Sequence, residues 1–191
     1  MYKLWLTKQC SGFFRSPEMV SRWDAERDGK SPNCQQIETS RHLKLWDDRD
    51  QTRLLYRMTY KFASWLTTNY AHPEIAYCIP NYIKIRGIQN LGEFSTLSRE
   101  IQVIADSQDF IPWTIFMEGE ISREIMLLQE PVLATSPSLL SIKDWVKQLI
   151  THILQILHAQ WVFRIFSLHD RTVGYFQNIF CLGIFHSMTA R

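Results

Sequence analysis

Between Ser141 and Asp170 the chain reads SIKDWVKQLITHILQILHAQWVFRIFSLHD, and no other stretch constrains the fold as strongly. At about 100° per residue, Trp145, Leu149, Ile153, Ile156, Leu157 and Trp161 fall on one half of a helical wheel. Lys147, Gln148, Thr151, His152, Gln155 and His158 fall on the other. The start is marked as well. Ser141 is a good N-cap with Asp144 three residues on, and Leu140 and Trp145 occupy the two positions of a hydrophobic staple. The pattern predicts a core helix on which the rest of the chain packs, with Leu149, Ile153, Leu157 and Trp161 sealed inside.

The remaining periodicity is also helical. Ser16-Pro17 reads as the start of a short helix, with Ser as cap and Pro at the first position, and Asp28-Gly29 as its end. Residues 30–47 read as turn material with a short helical or knuckle-like unit. From about Asp50 to Asn69, Leu54, Leu55, Met58, Phe62, Trp65 and Leu66 recur at three- and four-residue steps, with Arg53, Arg57 and Lys61 on the solvent side. After His72-Pro73, a third helix carries Ile75, Cys78, Ile79, Tyr82 and Ile83 to Gly87, and Pro80 inside it predicts a kink or split. Residues 97–106 form a fourth, with Ile101, Ile104 and Ala105 inward. FIPWTIFMEG around Pro112 is ambiguous, and Ser122 caps a short helix through Gln129. Strand-like alternation is nearly absent. The fold class expected is all-α, an irregular helical bundle with a small N-terminal knuckle-like segment.

Length and charge bound what such a chain does. One hundred and ninety-one residues suit one domain with a small appendage and are enough to bury a real core. Of 21 Lys/Arg and 19 Asp/Glu, residues 1–46 hold eight and five, leaving 13 and 14 for the rest, so the basic surplus sits at the N-terminal end. Cys10, Cys34, Cys78 and Cys181 are far apart and form no small-scaffold disulfide pattern, so they read as reduced thiols. No apolar run is long enough for a signal peptide or a membrane span. An intracellular location, with no membrane partner, is expected.

The segment Ser31-Pro-Asn-Cys34, then Glu38-Thr39, His42-Leu43 and Trp46, resembles the zinc knuckle that follows the polymerase in retroelement reverse transcriptases. Those knuckles read Cys-Pro-x-Cys, then Glu-Thr-x-x-His-Leu, then a last Cys four residues past the His. Here Ser31 and Trp46 stand at the first and last ligand positions, leaving only Cys34 and His42. A structural zinc site needs four nitrogen or sulfur ligands. The expectation is therefore a metal-free turn packed by Trp46, unless Cys10 or Asp47 completes the set. Upstream, LTKQCSGFF and MVSRW resemble the lead-in of a group of uncharacterised eukaryotic proteins encoded in or beside such elements. Downstream, SQDFIPWTIFMEGEISREIMLLQ and WVKQLITHILQILHAQWVFRIFSLHD resemble their helical middle and closing motif. Pro112 replaces a usual Gly, Ile125 a usual Trp, and Arg164-Ile165 a usual Arg-Asn. The resemblance covers roughly residues 4–176. After Tyr175 it stops, and FQNIFCLGIFHSMTAR reads as a divergent apolar tail produced by read-through. The implied organisation is 1–47 degenerate knuckle-like segment, 48–176 helical domain, and 177–191 tail.

Other chemistry-bearing residues have bland readings. His152 and His158 are six apart, roughly 120° around a helix, and read as solvated-face residues. Gln160 and Arg164 are one turn apart on the apolar half, so a buried hydrogen-bonded pair is expected, with Asp170 or Glu118 as an acidic partner. His169-Asp170 has no Ser or Cys placed to serve as its nucleophile. Neither a Gly-x-Ser-x-Gly elbow nor a Gly-rich phosphate loop is present. Asp47, Asp48 and Asp50 read as favourable charge at a helix N-terminus.

The function expected is that of a non-catalytic, retroelement-derived protein without cofactor. Its role would be accessory nucleic-acid binding or scaffolding beside a reverse transcriptase. The phosphate contacts would be Lys3, Lys8, Arg15, Arg22, Arg27, Lys30, Arg41 and Lys44, since such contacts are basic and sequence-neutral. The alternatives are a helical protein–protein interaction or structural remnant, and a decayed reading frame.

Overall fold

Ser141 opens the longest helix in the manner its sequence predicts. In the computed structural model its hydroxyl accepts the Asp144 N–H at 3.1 Å and donates to the Asp144 carboxylate at 2.6 Å. The structure describes residues 22, 29–30, 35–37, 39, 44–45, 48–94 and 98–173, with backbone alone at 100, 165 and 168–173. From Arg49 onward these form α1 (Arg49–Thr68), α2 (Pro73–Lys84), α3 (Arg99–Asp109), α4 (Trp113–Phe116), α5 (Arg123–Thr135) and α6 (Ile142–Val173). A 3-10 turn, Leu91–Glu93, separates α2 from α3. The described residues contain no named strand, and the fold is all-α.

Each helix start has its chemical reason. Asp48 caps α1, accepting the N–H groups of Asp50 at 2.9 Å and Gln51 at 3.0 Å. His72 Nδ1 accepts from Glu74 N–H ahead of α2, where Pro73 fills a first-turn position that needs no donor. Ser98 and Ser122 cap α3 and α5. Both interior prolines are carried within their helices. α2 continues past Pro80, with no split, and α5 runs through Pro131 to Thr135 rather than stopping near Gln129. Proline withholds a donor from the carbonyl four residues back. In α5 that residue is Leu127, which is exposed, so water can take the donor's place.

The core is one continuous cluster in which α6 supplies Trp145, Leu149, Ile153, Ile156 and Leu157. α1 packs on both α2 and α6, and α5 packs on α6. The pairing of α1 with α6 is antiparallel: Trp65 meets Trp145 with ring centroids 6.0 Å apart, Phe62 meets His152 at 5.8 Å, and Gln51 lies by Gln160. Trp161 lies at the margin of the cluster, partly buried rather than sealed. Gln129 fastens the α1–α2 turn: its amide accepts from His72 N–H at 2.8 Å and donates to the Tyr70 carbonyl at 2.9 Å. Gly87 adopts φ +66°, and a Cβ there would lie 2.5 Å from Trp113 Cβ, so only glycine lets the loop pass under the indole. That indole donates to the Tyr82 carbonyl at 3.1 Å.

In the N-terminal segment, Lys30 and Ile37 form an isolated antiparallel bridge, with left-handed backbone at Gly29 and Gln35. Lys44 and Leu45 are helical. Cys34, His42, Ser31, Trp46, Asp47 and Cys10 lie outside the described residues, as does the tail from residue 174.

Candidate nucleic-acid interface

Five of the eight basic residues expected to meet phosphate, Lys3, Lys8, Arg15, Arg27 and Arg41, lie outside the described residues. Arg22 and Lys30 are exposed. Lys44 departs from the expectation. It is only 6% exposed, its ammonium donates to the Thr114 carbonyl at 3.0 Å, and it is ion-paired with Glu118. An ammonium taken out of water must be paired and hydrogen-bonded, and this one is. Lys44 therefore ties the N-terminal segment to the loop around α4 and does not face phosphate.

The structure adds a basic face that sequence reading had seen only in part. On α1 the residues opposite the core are Arg49, Arg53, Tyr56, Arg57, Tyr60 and Lys61, all exposed. Asp50 is the sole acidic residue of this helix and pairs with Arg53 at 3.1 Å on the open surface. Tyr56 is 51% and Tyr60 75% exposed, although tyrosine usually hides most of its ring. Tyr56 and Tyr60 stand one turn apart between the arginines on the side of the wheel away from Leu55, Phe62 and Leu66.

The expected buried polar pair is buried. Gln160 and Arg164 are both enclosed, and the Gln160 amide points across the helix pair to the Gln51 carbonyl at 3.5 Å. Gln51 itself has no exposure. Glu118, named as a candidate partner of Arg164, is held by Lys44. The side chain of Asp170 lies outside the described residues. His158 corrects the sequence reading outright. It is 3% exposed, stacked near Trp161 at 5.8 Å, and burial holds its imidazole below the ordinary 6.5. His152 is half-buried against Trp65 at 4.6 Å, and burial lowers it as well. α6 touches both α1 and α5, so more of its circumference is covered than one half of a wheel.

Two further polar groupings read as structure. Ser107, Ser122 and Glu124 share hydrogen bonds where α3 meets the start of α5, and the Ser122 hydroxyl helps hold the Glu124 carboxyl below its ordinary value. Gln108 accepts from Ser122 N–H at 2.8 Å beside them. Asp109 receives the N–H groups of Leu91 and Gly92 at 2.7 and 2.8 Å, locking the 3-10 turn onto α3. Cys78 is buried in the core, and burial with the nearby Glu74 charge pushes its thiol up to about 11, which makes it unreactive. His169 and Asp170 have side chains outside the described residues.

Among the described residues no group of three His, Cys, Asp or Glu is placed to hold a metal ion, and no helix is long and apolar enough to cross a membrane. No family model, no curated protein and no solved structure matches this chain.

Proposed function

We propose that the chain is a non-catalytic, retroelement-derived accessory protein that binds nucleic acid beside a reverse transcriptase. One observation carries this reading. Past Asp47, Asp48 and Asp50 at its start, α1 carries no further acidic residue, and its exposed Arg53, Arg57 and Lys61 add to the basic surplus of the N-terminal segment. Clustered cations on one face raise the local concentration of polyanions and contact phosphates without reading sequence. Lys44 is withdrawn from the contact set, and Arg22 and Lys30 remain in it.

The test is a salt titration of binding to a labelled 20-nucleotide RNA or DNA. Affinity should fall steeply with salt, and the double variant Arg57→Gln/Lys61→Gln should lower the slope of log K against log salt by about 2. Absence of binding at low salt would remove this reading. A second reading, a protein–protein interaction module, is favoured by Ile88 and Phe110, apolar side chains 88% and 89% exposed. Co-purification of a defined protein partner that is lost with Ile88→Ser/Phe110→Ser would support it.

A further inference from the structure

We infer that the outward face of α1 is a platform for single-stranded nucleic acid, on which Tyr56 and Tyr60 stack bases while the flanking cations hold the backbone. The inference rests on the nucleic-acid reading above and specifies its surface and its substrate class. α1 has ample room to hide aromatic rings, since it buries Phe62 and half-buries Trp65 on its inner side. Yet two tyrosines project from the opposite side, about 6 Å apart along the axis, as one helical turn requires. Arg53 precedes Tyr56, Arg57 lies between the two rings, and Lys61 follows Tyr60.

Each component has a separate use. An aromatic ring binds the face of an unpaired base whatever its identity, and a positive groove or stripe tracks the phosphates beside it. In a duplex the base faces are already stacked on one another and cannot reach a tyrosine. The charges alone would bind duplex and single strand alike; the rings add affinity for the single strand only. The exposed Asp50–Arg53 pair does not oppose this, because a solvated ion pair is worth little and Arg53 can exchange to a phosphate. Ribose and deoxyribose serve equally, since neither stacking nor phosphate contact involves the 2′-hydroxyl.

The experiment uses the full 191-residue chain and fluorescence anisotropy with oligo(U), oligo(dT) and a duplex of the same length. The chain should prefer both single strands to the duplex. Tyr56→Ala/Tyr60→Ala should weaken single-strand binding by roughly tenfold or more and leave duplex binding unchanged. Tyr56→Phe/Tyr60→Phe should retain single-strand affinity, which separates ring stacking from any effect of the hydroxyl. Both double variants should keep the wild-type circular-dichroism melt, because the replaced side chains stand in solvent. Equal affinity for strand and duplex, unaffected by the alanines, would overturn the stacking platform while leaving the phosphate-binding reading intact. No binding to any of the three at low salt would overturn both.

Discussion

The two ends of the α1–α6 contact are built from the same pair of helices by opposite means. At one end Trp65 lies against Trp145, Phe62 and Trp65 lie against His152, and Leu149 and Ile153 are fully enclosed. At the other, Gln51, His158, Gln160 and Arg164 are enclosed, and the Gln160 amide donates to the Gln51 carbonyl across the gap. The aromatic end gains from area removed from water, at roughly 25 cal/mol per Å². It specifies little else, because apolar side chains of similar volume replace one another with modest loss. The Gln160 amide gains little net energy, because its bond to the Gln51 carbonyl replaces one to water. It makes a slipped register costly, since a one-residue shift would part this buried donor from its acceptor. Stability and register are therefore held at different ends of one interface.

That contrast can be broken most directly at Trp145. Trp145→Ala should cost roughly 3–5 kcal/mol, because a fully buried indole leaves a cavity that its packed neighbours, Trp65 among them, fill only in part. Chemical denaturation would read this, and a loss under 1 kcal/mol would mean that the aromatic end is not the source of stability. The sealing of the same apolar core can be read at Cys78. With its thiol near 11 and its sulfur out of water, modification by a thiol reagent at pH 8 should be at least about a hundredfold slower in the native chain than in denaturant. Rapid native labelling of that residue, located by mass spectrometry, would contradict the packing.

Both ends should respond to acid, through His152 at the aromatic end and His158 at the polar one. Burial holds His158 and His152 below 6.5 in the fold, so as pH falls past that value the unfolded chain takes up protons first. The contribution is neutral at higher pH and becomes a loss of stability as pH drops below about 6.5 towards the folded values. Melting temperatures measured between pH 7.5 and 5 should decline, and His158→Gln should flatten part of that decline. A chain equally stable at both pH values would show the imidazoles to be solvated. The smallest effect is expected at Gln160. Its bond to the Gln51 carbonyl is long, so Gln160→Leu should change stability by no more than about 1 kcal/mol. Amide exchange at the α1–α6 contact should nevertheless rise if this group fixes the register.

The helices were legible from sequence where a period and a cap coincided. Ser141 with Asp144, Asp48 ahead of α1 and Ser122 ahead of α5 all mark the starts that the structure shows. What a wheel cannot show is how many neighbours a helix has. It assigns His158 to water by taking the apolar half alone as covered, whereas the side chain is buried beside Trp161. Lys44 was misplaced for a related reason, since a basic residue in a basic segment reads as surface until its long-range carboxylate is known. Of the candidate interface, Arg53, Arg57 and Lys61 could be placed from spacing alone. Tyr56 and Tyr60 could not be weighed, because a tyrosine at helical spacing reads as well for interior as for surface until its exposure is seen.

The clasp between Lys44 and Glu118 has a practical consequence for anyone dividing the chain. A truncation that begins at Asp48 follows the start of α1 faithfully, but it deletes the cation that holds the α4 loop from the N-terminal side. The Thr114 carbonyl and the Glu118 carboxylate would be left to find other donors or to open towards solvent. Such a fragment should show a looser α4 region than the parent chain. Nucleic-acid binding lost on removing residues 1–47 would then report two things at once, the missing positive charges and a relaxed loop. Lys44→Met in the intact chain, which breaks the clasp and leaves the other seven basic residues in place, separates them.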